Sequence, residues 1–229
     1  MAEHWSCWLS LGRAPEFNMA FDEIALHRAS LTGAPLLRFY SWSAPAATFG
    51  YFQRYNQIAE LTPLRPLLRR PTGGGLVPHL NDWTYSLAVP AGHPWYSLQA
   101  IESYQRFHSW IQTSLDRCGL SVELAGECNR EQPGQCFVGS EPYDVLYLGR
   151  KIAGAAQRRT RDGLLIQGSL QPAFDKPTFE DWRDAMQQSA ADLWSIEWQS
   201  FTFSEEWKAA VNTLAAEKYD PGSPYHRRR

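Results

Sequence analysis

Three short stretches of this sequence hold residue types whose spacing suits chemistry. In Arg69-Arg70-Pro71-Thr72-Gly73-Gly74-Gly75-Leu76-Val77-Pro78-His79, consecutive glycines remove side chains where two arginines and a histidine converge. Backbone N–H groups in such a loop can approach a ligand closely and cradle an anion or a carbonyl oxygen. The competing reading is a tight bend between strands, with His79 a satisfied polar residue. In Leu148-Gly149-Arg150-Lys151-Ile152-Ala153-Gly154-Ala155-Ala156, Lys151 stands among small and apolar residues, where a long cation is rarely placed without a partner. A solvated hairpin tip with Gly149-Arg150-Lys151 as its turn is the alternative. Cys136, on a polar loop upstream of Lys151, is a candidate nucleophile, since nearby positive charge raises a thiol's thiolate fraction. An inert thiol, or one that pairs with Cys128 under oxidation, is the other reading. Arg69, Arg70, Arg150, Lys151, Arg158, Arg159 and Arg161 all lie in or beside these stretches. Such a concentration of cations suits an anionic substrate or an acidic protein partner. Arg227-Arg228-Arg229 reads as a solvated tail.

A chain of 229 residues with 44% hydrophobic residues can bury a full core, and residues 1–229 are expected to form a single domain. The 22 basic and 24 acidic residues leave a net charge of -2, which gives no general attraction to nucleic acid or to an acidic membrane. No apolar run reaches the roughly 18 residues of a membrane helix, and Met1 to Ser10 lacks the build of a signal peptide, so a cytoplasmic location is expected. The 4 cysteines, Cys7, Cys118, Cys128 and Cys136, are too irregularly spaced for a disulfide framework or a zinc site, and no metal site is expected.

The elements that must position these residues follow from local pattern. After a short apolar opening, Asn18 is expected to cap a helix with Asp22 and Glu23 in its first turn. Leu36–Trp42 and Ala47–Gln53 read as neighbouring strands, broken apart by Pro45. Leu67–Val89 is strand-like but interrupted by Pro71–Gly75, which places the glycine loop between two strands. Ser97 is expected to open a helix with Leu98, Ile101, Tyr104, Ile111, Leu115 and Cys118 on one face and Gly119 as its stop. A polar segment, Gly126–Pro142, carries Cys136, and Asp144–Leu170 reads as strand, turn, strand. Thr178 and Ser204 are expected to cap two closing helices, the second turning Trp207, Val211 and Leu214 inward. Strands in short runs with helices between and after them predict an α+β domain with a mixed, largely antiparallel sheet flanked by helices. The glycines lack the G-x-G-x-x-G spacing of a dinucleotide site, and a strand follows them.

Several of these stretches, in order, resemble the motifs of one family. They are Asn18-Met19-Ala20-Phe21-Asp22-Glu23, Arg38-Phe39-Tyr40-Ser41-Trp42, Gly50-Tyr51-Phe52-Gln53, the glycine loop with His79 and Thr84-Tyr85-Ser86, and Gly149 to Gln157. Together they are similar to the biotin/lipoate ligase A/B superfamily, within it to the lipoate-protein ligases and the cysteine-dependent octanoyltransferases; the Gly-Arg-Gly-Arg loop of biotin ligases is missing.

The resemblance implies a catalytic domain with a tunnel for a linear acyl chain, bound by Arg70, Thr72, Gly73, Gly74, Gly75, His79, Gly154, Ala155, Gly168 and Ser169. It implies that Lys151 contacts the acyl carbonyl oxygen and stabilises the oxyanion formed on attack. Cys136-Phe137 matches the Cys-Phe pair that precedes the Gly-Arg-Lys motif in the transferases, which implies an acyl-enzyme resolved by a carrier lysine. The implied donor is octanoyl-acyl carrier protein and the implied acceptor a lipoyl domain or the glycine-cleavage carrier protein, with no cofactor. The rival is an ATP- and magnesium-dependent lipoate ligase using the same pocket, and a non-catalytic acyl or carrier-protein binder is a third reading. The sequence departs from the pattern at Gln167-Gly168-Ser169, where the family often has His-Gly-Ser or His-Gly-Thr. It departs again at Leu76, in place of a usual alanine, which is expected to alter how deep an acyl chain enters. The chain is also expected to have no accessory C-terminal domain, which favours the transferase.

Overall fold

The computed structural model describes residues 2–128 and 139–227, and Cys136 and Phe137 lie outside them. In chain order the elements are β1 (Glu3–Arg13), α1 (Pro15–Thr32), β2 (Leu36–Trp42), β3 (Ala46–Phe49), α2 (Tyr55–Ala59), β4 (Leu67–Arg69), β5 (Val77–His79), β6 (Trp83–Pro90), α3 (Pro94–Ser97) and α4 (Ala100–Arg117). The chain continues with β7 (Glu123–Leu124), β8 (Val145–Tyr147), β9 (Arg150–Thr160), β10 (Gly163–Leu170), α5 (Phe179–Trp194), β11 (Ile196–Ser200), α6 (Glu205–Leu214) and a π-helical turn, Ala215–Tyr219. Eight strands form the main sheet in the order β11-β1-β2-β6-β10-β9-β8-β7. Among the described residues of this sheet only β1 pairs in parallel, with β2 and β11, and the other neighbours are antiparallel. A small sheet of order β4-β3-β5 carries the glycine loop between its two outer strands. This is the mixed, largely antiparallel α+β architecture that the element pattern predicts. No described helix is long and apolar enough to cross a membrane.

The alternation of side chains along strands gives the main sheet two different faces. Leu37 and Phe39 of β2, Tyr85, Leu87 and Val89 of β6, and Leu164 and Ile166 of β10 meet Phe107, Trp110 and Ile111 of α4 and Trp182 and Met186 of α5 in one core. Trp5, Trp110 and Trp182 are each at most 1% exposed. Rings of this size bury roughly 150–250 Å² apiece, about 4–6 kcal/mol of transfer free energy each at ~25 cal/mol/Å². On the other face Met19, Phe21 and Leu26 of α1 pack with Leu36, Ala88, Leu165 and the Trp207 and Val211 of α6.

Several boundaries differ from the sequence expectation. The opening is not merely apolar but an 11-residue strand, whose register beside β2 is parallel. Helix α1 begins at Pro15, whose fixed φ suits the first turn, and Asn18 is an interior, fully buried residue rather than the cap. Its side chain is engaged instead by Arg38 Nη2, which donates to Asn18 Oδ1 at 2.6 Å. Strands β2 and β3 are not neighbours; the break at Pro45 sends β3 into the small sheet. Helix α4 opens at Gln99, not Ser97, because Gln99 and Glu102 form a capping box, and Ser97 ends the separate turn α3. Ile101 is 49% exposed, since the buried stripe of α4 runs instead through Ser103, Phe107, Trp110, Ile111 and Ser114. Asp144–Leu170 holds three strands, and the pattern did not reveal β11. Thr178 and Ser204 do cap α5 and α6, and Trp207 and Val211 face inward.

The main sheet is tied to α1 by a charge pair with no exposure on either side chain. Arg38 Nη1 donates to Asp22 Oδ1 at 2.9 Å. Burial pushes the Arg38 guanidinium down and Asp22 pushes it back up, the net direction being down. Removing one partner leaves the other charged and dry. Asp22→Ala should therefore lower the unfolding free energy by about 3–5 kcal/mol, measured by urea denaturation.

Candidate active site

On the α1 side the main sheet is polar at alternate positions, and its register aligns these residues across strands. One row runs Arg38–Ser86–Gln167–Ala156 and the next Tyr40–Thr84–Ser169–Gly154, through β2, β6, β10 and β9. Tyr40, Thr84, Gln167, Ser169, Gly154 and Ala156 form the floor of a cavity of about 470 Å³, mouth included. Met19 of α1 lines the same space, and the facing wall comes from Thr48, Arg70, Val77 and His79 around the small sheet.

Each polar group of the floor is held by a buried carboxylate. Asp22 Oδ1 accepts from Ser86 Oγ at 2.8 Å, and its Oδ2 accepts from Tyr40 OH at 3.0 Å and Gln167 Nε2 at 2.8 Å. Asp82 Oδ2 accepts from Ser169 Oγ at 2.7 Å and Thr84 Oγ1 at 3.0 Å, and it lies 2.8 Å from His79 Nδ1. The other nitrogen of His79 is 2.9 Å from Thr48 Oγ1, and the ring stacks on Trp42 with centroids 3.9 Å apart. Burial alone would push the Asp82 carboxyl up, but His79 with the Ser169 and Thr84 hydroxyls outweighs it and holds the group below its usual 3.8.

The third carboxylate holds Lys151. Lys151 is in β9, and its Nζ lies 2.7 Å from Asp144 Oδ2, with the two side chains 8% and 0% exposed. Tyr104 OH donates to Asp144 Oδ1 at 2.5 Å and the Glu141 N–H to Oδ2 at 2.7 Å, so the carboxylate is fixed from α4 and from its own loop. Burial and then Asp144 raise the Tyr104 hydroxyl well above its usual range, which keeps it a donor. His108, one turn further along α4, is pushed down to about 3 by burial and by the charge of Lys151, and stays neutral. The hairpin before Lys151 turns on Leu148 and Gly149, with φ of 50° and 74°, so Lys151 is a strand residue and the turn reading fails for it. A Cβ on Gly154 would come within 2.8 Å of Lys151 Cε and 3.0 Å of Asp144 Oδ1, which makes glycine part of the lysine's seat.

The structure gathers Arg70, His79, Lys151, Gly154, Ala155, Gly168 and Ser169 around one cavity. Thr72, Gly73, Gly74 and Gly75 are not among its described lining residues. Thr72 is fully buried and donates to Gln167 Oε1 at 2.8 Å. Gly74, at φ 83°, presses its carbonyl against Gly50, where an added Cβ would sit 1.9 Å from the oxygen. The close approach made by the loop is thus to Gly50. Leu76 packs with Phe49, Ile58 and Leu67 in the core of the small sheet, while Val77 faces the cavity, so the expected effect of Leu76 on depth is corrected. A single cluster of arginines is not formed either. Alternation along β9 sends Arg158 to the Pro71 carbonyl and Arg159 across the sheet to the Tyr96 carbonyl and Ser103. Arg69 donates to the carbonyls of Tyr225 and His226, and Arg161 is 94% exposed at the next turn. Met19, Tyr40, Thr48, Thr84, Gln167, Asp82 and Asp144 were not singled out as site residues by the sequence. Polar alternation in Thr84-Tyr85-Ser86 and Gln167-Gly168-Ser169 was the available signal for the floor.

Residues 14–194 match the lipoyl protein ligase A/B catalytic domain. The octanoyltransferase LipM of Carboxydothermus hydrogenoformans is 36% identical over 159 residues, which span 67% of this chain and 59% of that relative. The octanoyltransferase LipM of Oceanobacillus iheyensis is 27% identical over 96% of both chains. Among solved structures, a bi-partite lipoate protein ligase of Thermoplasma acidophilum superposes with a TM-score of 0.75 at 19% identity, covering 100% of this chain and 98% of that one, and shares the fold.

The depressed Asp82 carboxyl gives the site an acid sensitivity of known sign. A carboxyl lowered on folding contributes stability that is complete above its unfolded value and lost as pH falls through the folded one. The urea midpoint should therefore fall as pH drops below about 4. Asp82→Asn, which no longer ionises, should fall less over that window.

Proposed function

Because the chain belongs to the lipoyl protein ligase A/B catalytic domain family, we propose that it transfers an octanoyl group from acyl carrier protein to a lysine of a lipoyl domain or glycine-cleavage carrier protein. The observation that carries this reading is a cavity between the two sheets with an ion-paired, largely covered lysine in its wall. An octanoyltransferase relative aligned over 96% of the chain supports the choice of acyl group.

The residues have distinct tasks. The thiolate of Cys136 attacks the donor's thioester carbonyl; a new C–S bond forms as the old one breaks and the carrier thiol leaves. The acceptor lysine's amine then attacks the acyl-enzyme, forming the amide, releasing the Cys136 thiolate and losing a proton to water. A thioester already stores the activation energy, so the first exchange is near balance and needs no nucleotide. Lys151, its direction fixed by Asp144, stabilises the oxyanion of each tetrahedral intermediate. Among the described residues, Ala125 is tied to the neighbourhood of Asp144: the Tyr143 N–H donates to the Ala125 carbonyl at 2.7 Å, and the Ala125 N–H to the Asp144 carbonyl at 2.8 Å.

Octanoyl-acyl carrier protein alone should add one octanoyl group, removable by hydroxylamine, to Cys136 and none to Cys128, read by intact-protein and peptide mass spectrometry. Cys136→Ala should lose the adduct and the transfer to a lipoyl domain. No adduct, together with turnover of free lipoate only when ATP and magnesium are supplied, would make the chain a ligase instead. In the same assay Lys151→Ala should lower transfer by roughly 10²-fold or more. Wild-type turnover in that variant would remove its role.

A further inference from the structure

One hydrogen-bond chain runs from the buried charge pair between α1 and the main sheet to the segment of the far wall of the cavity. Asp22 Oδ2 accepts from Gln167 Nε2 at 2.8 Å, and Gln167 Oε1 accepts from Thr72 Oγ1 at 2.8 Å. The amide cannot reverse. A carboxylate accepts only, so the side of Gln167 that faces Asp22 must be its NH2, and the oxygen is left for the threonine. Asp22 itself cannot shift, since Arg38 Nη1, Ser86 Oγ and Tyr40 OH also donate to it from β2 and β6. Thr72 lies between Arg70 and Val77, and those two residues belong to the wall that faces the floor. Gln167 belongs to the floor. The Thr72–Gln167 bond therefore spans the gap between the two sheets that enclose the ligand space.

We propose that Gln167 is a positioning residue for the acyl site, whose amide relays the fixed place of Asp22 to Thr72 and so sets the separation of floor and wall. It acts through Thr72 and takes no part in bond making. This role assigns Thr72 a different task from ligand contact: its hydroxyl faces the sheet, and it holds the segment that carries Arg70 on one side and Val77 and His79 on the other. The inference rests on the acyl-transfer reading only in taking the ligand to be an octanoyl chain.

The test measures binding of octanamide, an uncharged stand-in for the acyl group, to the full chain by calorimetry, with the melting temperature followed in parallel. Thr72→Val removes the hydroxyl at nearly constant volume, and Gln167→Leu removes both ends of the relay. Each should weaken binding by about tenfold, as expected when a buried hydrogen bond loses one partner. Together they should weaken it by about tenfold and not a hundredfold, because both break one tie. Gln167→Glu adds a readout that a general loss of packing would not move. Protonated, the introduced carboxyl has the donor and acceptor layout of the amide; ionised, it cannot donate to Asp22. Binding by this variant should strengthen relative to wild type as pH is lowered toward the carboxyl range. Wild-type binding by folded Thr72→Val, a hundredfold loss in the double variant, or a flat pH ratio for Gln167→Glu would overturn the relay. If wild-type protein fails to bind octanamide at all, the acyl reading of the cavity falls and takes the relay with it.

Discussion

Tyr40 and Gln167 on the cavity floor, and Ser86 beside them, are registered against the buried pair of Asp22 and Arg38. The carboxylate gathers donors from β2, β6 and β10, and the guanidinium sits over the rings of Tyr40 at 4.0 Å and Phe21 at 4.5 Å while also reaching Ser10 and Asn18. Such a pair rarely adds much stability over a hydrophobic replacement, because two charges must be stripped of water. Its contribution here is geometric. Any slip of β2, β6 or β10 relative to α1 would leave a dry charge short of partners, so the pair fixes the alignment that brings Tyr40, Thr84 and Ser169 side by side.

The same device recurs at Asp82 and Asp144, each a carboxylate under the cavity that orients groups around it. Asp82 collects the Ser169 and Thr84 hydroxyls and His79 from the small sheet. Asp144 collects Lys151 and Tyr104. A polar floor built this way is preorganised: its dipoles point where they are needed before a ligand arrives, and no water must be reordered when charge develops on a bound carbonyl. The opposite face of the sheet carries the aromatic core with α4 and α5.

The sequence made local features legible and long-range ones much less so. Capping chemistry identified Thr178 and Ser204, and the ordered motifs identified the two strands and the loop that meet at the cavity. Asn18 misled because its capping type was present while its partner, Arg38, lies on a strand 20 residues away. The arginines misled because proximity in sequence is not proximity in space on a strand of period two, and Arg158 and Arg159 go to opposite faces. Asp22, Asp82 and Asp144 read as ordinary carboxylates until the register shows which donors converge on them. Strand β11 is short and its residues are mostly not buried, so it carried little apolar pattern.

The hairpin that delivers Lys151 has a consequence for how the chain can vary. Its two central residues, Leu148 and Gly149, both have positive φ, the two-residue form that matches strand twist. With Tyr147 paired to Arg150 and Leu146 to Lys151, the next pair, Val145 with Ala153, skips Ile152, so a one-residue bulge follows the turn and sets Lys151 relative to the rest of β9. Deleting a residue at that bulge would restore even pairing and turn Lys151 by one face relative to the rest of β9, while the turn itself was unchanged. Length at the bulge is consequently under tighter constraint than residue identity at the turn, where exposed Leu148 can be exchanged.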